Sequence, residues 1–258
     1  VIRMHPDVES KVAVIAEALH TIYPRVRAIA AVPLHSHTAA LYRTRDVKVI
    51  WGDECMETTH KESGCSFMVN LKHVFFSPRL SYERMRVARS VSAGETIINM
   101  FSGVGCFSIL IAKMQRHTTI YSIDVNPYAV EYMKANVALN RVEGTVIPVH
   151  GDAREVLETL EGAADRVLMP LPERAYSFLP LAVRALKRDT GGVIHYYDVS
   201  TGRKDGDLFH KPVERVSDIV SSAFGSLWRM AVEKKRVVRS VAPRTYHVVL
   251  DLRLERRG

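Results

Sequence analysis

The chain has 258 residues, 47% hydrophobic and 25% charged, and its 36 Lys and Arg against 28 Asp and Glu give a formal net charge of +8. This composition is typical of a globular protein and excludes a disordered or fibrous chain. No apolar run approaches the ~18–20 residues that span a membrane, and the three scattered cysteines do not form a disulfide framework, which favours a reducing cytoplasm.

Residues 1–80 show short helical and strand-like patterns without regular alternation. Apolar residues recur at helical spacing and predict a helix from Pro6 to Leu19. Three short β-type runs, separated by Gly-Asp and Glu-Ser-Gly turns, predict strands at Val47–Trp51, Cys65–Val69 and Val74–Phe76. We therefore predict a small α+β domain over residues 1–80.

From residue 81 onward, helical and strand-like segments alternate regularly. The predicted helices are Tyr82–Val91, Ser108–Met114, Pro127–Leu139 and residues 153–161, 174–188 and 207–224, and the predicted strands are Thr96–Met100, a segment ending at Asp124, Thr145–Val149, Arg166–Met169 and Gly192–Tyr197. This alternation predicts an α/β fold with a doubly wound, mostly parallel sheet in a second domain, residues 81–258. Two long strands, Trp228–Val238 and Tyr246–Leu254, predict a C-terminal antiparallel hairpin joined at Ala242-Pro243-Arg244.

A glycine-containing loop, Asn99 to Gly105, lies between the first of these strands and the next helix. Glycines allow a ligand to approach the backbone, and a helix N-terminus offers free amides. Nicotinamide sites usually show G-x-G-x-x-G, but Ser108 occupies the third glycine position here. The loop by itself fits either a cofactor site or a tight turn.

Acidic residues follow the next two strands. Asp124 lies about 20 residues after the loop, where a carboxylate accepts hydrogen bonds from ribose hydroxyls. Asp152 follows the third strand, where a carboxylate can meet an adenine amine, although helix capping is the simpler interpretation of Asp152 and an equal alternative for Asp124. Met169-Pro170-Leu171-Pro172 follows the fourth strand.

Features at four consecutive strand ends are not explained by capping. Together they predict the S-adenosylmethionine pocket of a class I methyltransferase (Rossmann-like) domain. The cofactor-binding residues predicted from these segments are Asn99, Phe101, Ser102, Gly103, Val104, Gly105, Asp124, Val125, Asp152, Ala153, Pro170, Leu171 and Pro172.

Several sequence blocks carry a closer resemblance, and in chain order they are Phe75–Arg84, Asn99–Gly105, Asp124–Pro127, Met169–Pro172, Gly191–Tyr197 and Ala242–Arg244. In these blocks the chain resembles the archaeal and eukaryotic tRNA (guanine-37-N1)-methyltransferase family over nearly its whole length. Members of that family usually carry a further small N-terminal domain that helps to hold the tRNA body. That domain is absent from this sequence, and the abrupt start at Val1 indicates a missing upstream piece.

The resemblance implies roles for several charged residues. Glu83, in the S-P-R-x-x-x-E-R stretch, would remove the N1 proton of guanine, although a Glu on a first helical turn also fits an ordinary surface position. Arg43 would contact the guanine or stabilise its charge, with Arg45 as the alternative alignment. Arg84 would contact the cofactor or pair with a nearby acid, and Arg79 would contact tRNA phosphate or organise its loop.

Two residues depart from the family pattern. The family usually has Asp at the position of Asn99, so the charge toward the sulfonium is missing here. The family usually has Asn at the position of Pro170, so the side-chain amide is missing here and only backbone contacts are expected at this position.

Positive charge concentrates near the end of the chain. Residues 229–258 hold nine Lys and Arg against three acids. Because phosphate contacts dominate nucleic-acid affinity, this segment predicts an RNA-binding surface, and a solvated hairpin face is the equal alternative. The predicted RNA-binding residues are Arg79, Lys234, Lys235, Arg236 and Arg244.

No metal site is predicted. Cys55, His60 and Cys65 show C-x4-H-x4-C spacing but lack a fourth ligand.

The sequence therefore predicts a cytoplasmic, monomeric enzyme that transfers the methyl group of S-adenosylmethionine to N1 of guanosine 37 of tRNA. The partner would be the anticodon stem-loop rather than DNA or a membrane, the target base would leave its stack, and residues 1–80 would recognise RNA or act as a linker. The first alternative is an aminocarboxypropyl transferase of wyosine biosynthesis at the same tRNA position. The second is a non-catalytic RNA-binding module, against which the intact Glu83 and Asp124 argue.

Overall fold

The N-terminal part of the computed structural model, which describes residues 1–33, 42, 44 and 46–257, contains a small sheet and a separate hairpin. The small sheet consists of β1 (Ile2–Met4), β2 (Ala28–Pro33) and β3 (Lys48–Gly52), with β1 parallel and β3 antiparallel to β2. Between β1 and β2 lie a 3-10 helix (Pro6–Lys11) and helix α1 (Val12–Ile22). The hairpin pairs β4 (Glu57–Glu62) with β5 (Cys65–Asn70).

A seven-stranded sheet forms the larger part of the described chain. Its strands are β6 (Thr96–Asn99), β7 (Thr119–Asp124), β8 (Val146–His150), β9 (Arg166–Met169), β10 (Gly192–Thr201), β11 (Trp228–Ala242) and β12 (Thr245–Arg256). Their order is β11-β12-β10-β9-β6-β7-β8, with β6 to β10 parallel and β12 antiparallel to both neighbours. The chain proceeds outward from β6 to β8 and then returns to β9 on the other side of β6. Ligands bind at such a reversal, outside the carboxyl ends of the strands.

Helices cover both faces of this sheet. One face carries α2 (Ser81–Ser90), α3 (Cys106–Met114) and α4 (Pro127–Asn140), and the other carries α5 (Ala153–Glu158), α6 (Leu179–Ala185) and α7 (His210–Phe224). Short 3-10 helices at Pro78–Leu80 and Ala175–Phe178 precede α2 and α6. Because successive strand residues point to opposite faces, Ile97 packs in one core and Ile98 in the other. The predicted class I methyltransferase-like α/β fold is confirmed.

The β4–β5 hairpin packs on the larger sheet domain. Phe67 is fully buried in the core that also contains residues of α2, α3 and α4. Two asparagines of α4 pair with the backbone of β5: Asn140 with both polar groups of Ser66 (2.9 and 2.7 Å), and Asn136 with those of Met68 (2.6 and 3.1 Å). The predicted boundary at residue 80 therefore falls after a segment that shares this core, and the division into 1–80 and 81–258 stays a prediction.

The terminal hairpin is confirmed, since β11 and β12 pair antiparallel around the Pro243 turn. The predicted strand Val74–Phe76 is wrong. The backbone N–H groups of His73 and Val74 both donate to the carbonyl of Asn70 at 3.0 Å, which closes a turn and takes this segment out of a strand ladder. The predicted helix from Pro6 begins instead with a 3-10 segment before α1. Among the described residues, we find no helix with the length and hydropathy of a membrane span.

Candidate active site

The loop after β6 brings backbone amides to the carboxyl edge of the sheet. Gly103 and Gly105 both have positive φ, +54° and +89°, and the N–H of Gly105 donates to the carbonyl of Ser102 at 3.0 Å. A Cβ at Gly105 would lie 3.0 Å from Met133 and 3.1 Å from Ile109. Only glycine fits this left-handed, closely packed position at the start of α3.

Asp124, at the end of β7, holds the loop. Its Oδ2 accepts from the N–H of Gly103 at 2.6 Å, and its Oδ1 accepts from the N–H of Asn126 at 2.9 Å. Burial raises the pKa of Asp124, and these two backbone hydrogen bonds oppose that increase. Each carboxylate oxygen retains a lone pair for a further donor.

Asp152 caps α5 and borders the same pocket. Its Oδ1 accepts from the N–H of Arg154 at 2.8 Å, and its Oδ2 lies 3.0 Å from the Arg154 guanidinium. That guanidinium in turn lies 4.4 Å from the centroid of the Phe178 ring. Capping and pocket lining are thus both properties of Asp152.

A single pocket brings most of the predicted cofactor residues together. Those that line it are Arg84, Phe101, Ser102, Gly103, Val104, Asp124, Val125, Asp152, Ala153, Pro170, Leu171 and Pro172. A pocket lined by both carboxylates and apolar side chains fits a nucleoside with a ribose diol.

Asn99 and Gly105 support the loop without lining the pocket. Asn99 is fully buried, and its Nδ2 donates to Oγ of Ser108 at 3.1 Å. Within the described part of the chain, Oδ1 of Asn99 has no hydrogen-bond partner.

Glu83 lies behind the pocket wall. The Glu83 residue is 2% exposed, and its Oε1 accepts from the Tyr197 hydroxyl at 2.8 Å and from Nη2 of Arg86 at 2.7 Å. Its Oε2 accepts from Nε of Arg86 at 3.0 Å and lies 3.6 Å from Nε of Arg236. Tyr197 lines the pocket, whereas Glu83 is not among the described residues that do. The role of Glu83 as a base stays a prediction.

The other arginines of the resemblance have different surroundings. Arg84 lines the pocket, and its guanidinium forms a bidentate pair with Glu62, with both distances 2.6 Å. Arg43 and its alternative Arg45 lie outside the described residues. Arg79 is exposed.

A buried charged network continues from Glu83 along the sheet. Arg86 also pairs with Asp251, whose Oδ1 lies 2.6 Å from Nδ1 of His195, and Nε2 of His195 lies 2.8 Å from Nη1 of Arg166. Burial lowers the pKa of His195, against the effect of Asp251, and the guanidinium beside Nε2 requires a neutral imidazole. Burial by itself would raise the pKa of Asp251, but the hydrogen bonds from His195 and Arg86 hold it well below its usual value.

The terminal hairpin contributes pocket residues that the sequence analysis did not single out. Arg239 and His247 line the pocket, and Arg239 lies 3.3 Å from Oγ of Ser77 and 3.4 Å from Nδ1 of His247. Arg174 and Tyr197 also line it. The signal for Arg239 was present in the basic composition of residues 229–258, but its proximity to Ser77 depends on long-range strand pairing.

The predicted RNA-binding residues lie mostly at the surface. Lys234, Lys235 and Arg244 are exposed on the terminal hairpin. Arg236 is partly buried, and its guanidinium lies 4.2 Å from the centroid of the Tyr82 ring. Among the described residues, no group of three or more His, Cys, Asp or Glu is arranged to hold a metal ion.

Comparisons with known proteins agree on one family. The model of the TRM5/TYW2 methyltransferase domain matches residues 58–225. The tRNA (guanine(37)-N(1))-methyltransferase Trm5b of Pyrococcus abyssi is 40% identical over 213 residues, 83% of this chain and 60% of that protein. The tRNA 4-demethylwyosine(37)-methyltransferase Taw21 of Saccharolobus solfataricus is 39% identical over 239 residues, 93% of this chain and 84% of that protein.

Further relatives broaden the chemistry. The tRNA(Phe) (4-demethylwyosine(37)-C(7)) aminocarboxypropyltransferase of Methanocaldococcus jannaschii is 33% identical over 215 residues, 83% of this chain and 82% of that protein. The crystal structure of P. abyssi Trm5b superimposes with a TM-score of 0.84 at 36% identity, covering 98% of this chain and 72% of that one. M. jannaschii TYW2 in complex with AdoMet gives 0.72 at 32% identity, covering 82% and 91%.

Proposed function

Because this chain belongs to the TRM5/TYW2 methyltransferase family, we propose that it transfers the methyl group of S-adenosylmethionine to N1 of guanosine 37 in tRNA. The observation that carries the proposal is the pocket at the reversal of strand order, where the glycine loop, Asp124 and Asp152 meet. The chain covers 60% of the length of the P. abyssi methyltransferase, and the activity proposed here is that of the described pocket.

The cofactor would be held by groups from three strand ends. The carboxylate of Asp124 would accept from the ribose hydroxyls, and Asp152 would accept from the adenine amine. The glycines of the loop from Ser102 to Gly105 would let the charged end of the molecule approach the backbone closely. S-adenosylmethionine, when bound, supplies an electrophilic methyl group; the protein supplies orientation and proton transfer.

Proton removal from N1 falls to Glu83 in this proposal. The N1 lone pair of guanine becomes a good nucleophile only as its proton leaves, and a positioned base contributes about 10²–10⁴-fold. Arg86 donates a hydrogen bond to each carboxylate oxygen of Glu83 and thereby fixes the orientation of the carboxylate.

The RNA would bind across the terminal hairpin and the rim of the pocket. Lys234, Lys235 and Arg244 are exposed on the hairpin, and Arg79 is exposed on the segment before α2. Backbone phosphates of the anticodon stem-loop are the expected partners of these cations, while guanine 37 leaves its stack to enter the pocket. We place this activity in the cytoplasm, where the free Cys55, Cys65 and Cys106 stay reduced.

A second candidate acceptor is 4-demethylwyosine at position 37. The similarity to the Saccharolobus solfataricus methyltransferase extends over 93% of this chain, which favours methyl transfer to that base as the alternative. Aminocarboxypropyl transfer is less favoured because the relative with that activity is 33% identical, below the 40% and 39% of the two methyltransferases.

One labelling experiment tests the proposal. The protein is incubated with S-adenosylmethionine labelled either in the methyl group or in the aminocarboxypropyl group, and with tRNA carrying guanosine, 4-demethylwyosine or, as control, adenosine at position 37. The nucleosides are then identified by mass spectrometry. Methyl label on 1-methylguanosine is the expected result. Methyl label only on the product of 4-demethylwyosine would overturn guanosine as the acceptor in favour of 4-demethylwyosine. Aminocarboxypropyl label on the tRNA would overturn methyl transfer to either base.

A further inference from the structure

Tyr197 connects the pocket to the buried Glu83. Tyr197, on β10, lines the pocket although it is only 4% exposed. Its hydroxyl donates to Oε1 of Glu83 at 2.8 Å. The ring lies edge-on to Phe107, with centroids 6.3 Å apart, so packing fixes the direction of the hydroxyl.

The carboxylate of Glu83 is enclosed on its other sides. Arg86 donates to both oxygens, and Arg236 lies 3.6 Å from Oε2. Among the described residues that contact Glu83, Tyr197 is the one that both lines the pocket and shares a hydrogen bond with the carboxylate. Tyr197 therefore connects the pocket to the carboxylate of Glu83.

We propose that the Tyr197 hydroxyl contacts the acceptor nitrogen and relays its proton to Glu83. The inference rests on the proposed methyl transfer and adds the group that touches the base. The N1–H bond breaks as that proton joins the Tyr197 oxygen, and the phenolic proton passes to Oε1 of Glu83. The N1 lone pair forms the bond to the methyl carbon, whose bond to sulfur breaks with its electrons and leaves a neutral thioether. Tyr197 ends as it began, and Glu83 carries the proton.

The phenol of Tyr197 can relay a proton without forming a free phenolate anion. Burial raises the pKa of Tyr197 well above its usual value, and the negative charge of Glu83 raises it further, while Arg86 opposes the increase. The phenol is thus a donor to Glu83 at rest. It accepts a proton only when it gives one away, which couples the two transfers.

The neighbouring residue on β10 provides a matched control. Tyr196 is fully buried and donates to Oδ2 of Asp198 at 2.9 Å, but it belongs to the core on the opposite face of the sheet and is not among the described residues lining the pocket. Tyr197→Phe and Tyr196→Phe therefore each remove one tyrosine–carboxylate hydrogen bond, and only the first touches the site.

The test measures the single-turnover rate of methyl transfer, the Kd values of tRNA and cofactor, and the solvent deuterium isotope effect. We expect Tyr197→Phe to lower the rate by about 10²–10⁴-fold with both Kd values unchanged. Glu83→Gln should lower it similarly, the double variant little further, and Tyr196→Phe less than threefold. In wild type, a rate that varies quadratically with the deuterium fraction would show two protons in transfer.

Each other outcome is informative. A Tyr197→Phe rate within threefold of wild type, beside a slow Glu83→Gln, or a linear isotope dependence would overturn the relay and leave the methyl transfer intact. Wild type that is inactive on every tRNA would overturn the proposed function and the relay with it. If Tyr197→Phe does not fold, 3-fluorotyrosine at position 197 keeps the hydroxyl and should change the isotope effect, whereas the same replacement at 196 should not. An unchanged effect at 197 would overturn the relay.

Discussion

The guanidinium of Arg84 and the carboxylate of Glu62 form a buried bidentate ion pair, with two N···O distances of 2.6 Å and side chains 3% and 8% exposed. The pair joins helix α2 to the β4–β5 hairpin. Glu83, the proposed base, directly precedes Arg84. The ion pair therefore also holds the first turn of the helix that carries this base.

Removing one partner of this pair should destabilise the protein strongly. Glu62→Gln leaves the buried charge of Arg84 without its counterion, and we expect the free energy of unfolding to fall by about 3–5 kcal/mol in urea denaturation. Combining Glu62→Leu with Arg84→Met should recover most of that loss. The control is Glu233→Gln, which breaks an exposed pair with Arg253 (42% and 41% exposed) and should cost less than about 1 kcal/mol. Equal losses for Glu62→Gln and Glu233→Gln would contradict the prediction.

Asp124 should determine cofactor affinity. Hydrogen bonds to a charged acceptor are worth about 1.5–3 kcal/mol, so Asp124→Asn should weaken S-adenosylmethionine binding about 10–150-fold in isothermal titration calorimetry. Asp165→Asn is the control, because Asp165 also accepts from a backbone N–H, that of Thr96 at 2.8 Å, but is not among the described pocket residues. The prediction fails if the two variants bind the cofactor equally well.

Stability should depend on pH through His195. The pKa of His195 is lowered in the folded protein, mainly by burial, whereas an unfolded histidine titrates near pH ~6.5. Below that pH, His195 binds a proton in the unfolded chain but stays neutral in the folded chain. The free energy of unfolding should therefore fall as pH drops from ~6.5 toward 5, by up to about 1.4 kcal/mol per pH unit.

His195→Gln should remove up to one proton from the difference in proton binding between the unfolded and folded chains, and so reduce this slope. The same variant should lower the free energy of unfolding at pH 7.5. His117→Gln, at an exposed position, is the matched control and should leave the slope unchanged. The measurement is denaturant unfolding at several pH values above 5. This avoids the lower pH range in which Asp251 of the unfolded chain takes up a proton. Identical slopes in wild type and His195→Gln would show that this imidazole is not the responsible group.

The basic hairpin should contribute electrostatic affinity for RNA. Lys234→Ala with Lys235→Ala should weaken tRNA binding and reduce the slope of log Kd against log salt concentration by about 1–2, with cofactor binding unchanged. Lys204→Ala with Lys211→Ala removes the same charge from other exposed positions and serves as control. If both pairs change the slope equally, net charge rather than a local surface is responsible.

Local signals predicted the features that depend on neighbouring residues. The alternation of strands and helices, the turn at Gly103 and Gly105, and the acids after β7 and β8 are short-range properties, and the structure places all of them at the same edge. The Pro243 turn predicted the terminal hairpin for the same reason.

The environment of Glu83 could not be predicted in this way. Its helix is largely polar in sequence, which favours an exposed position, yet Glu83 is buried. One of the residues that contact it, Tyr197, lies 114 residues away along the chain, so local sequence gives no sign of the contact. Arg86 finds Asp251 across 165 residues. Likewise, the side chains of Val74–Phe76 favour a strand. The segment instead follows a turn closed by the Asn70 carbonyl, and Phe75 and Phe76 line the pocket.

The position of β12 has a consequence for synthesis on the ribosome. This strand, the last of the seven to be made, inserts between β10 and β11 and delivers Asp251 to Arg86 and His195. Until residues 245–256 have left the ribosome, β10 presents an open strand edge, and Arg86 lacks one of its two counterions. Pairing of β12 with β10 therefore closes this edge of the sheet and brings Asp251 to Arg86 and His195 at the same time.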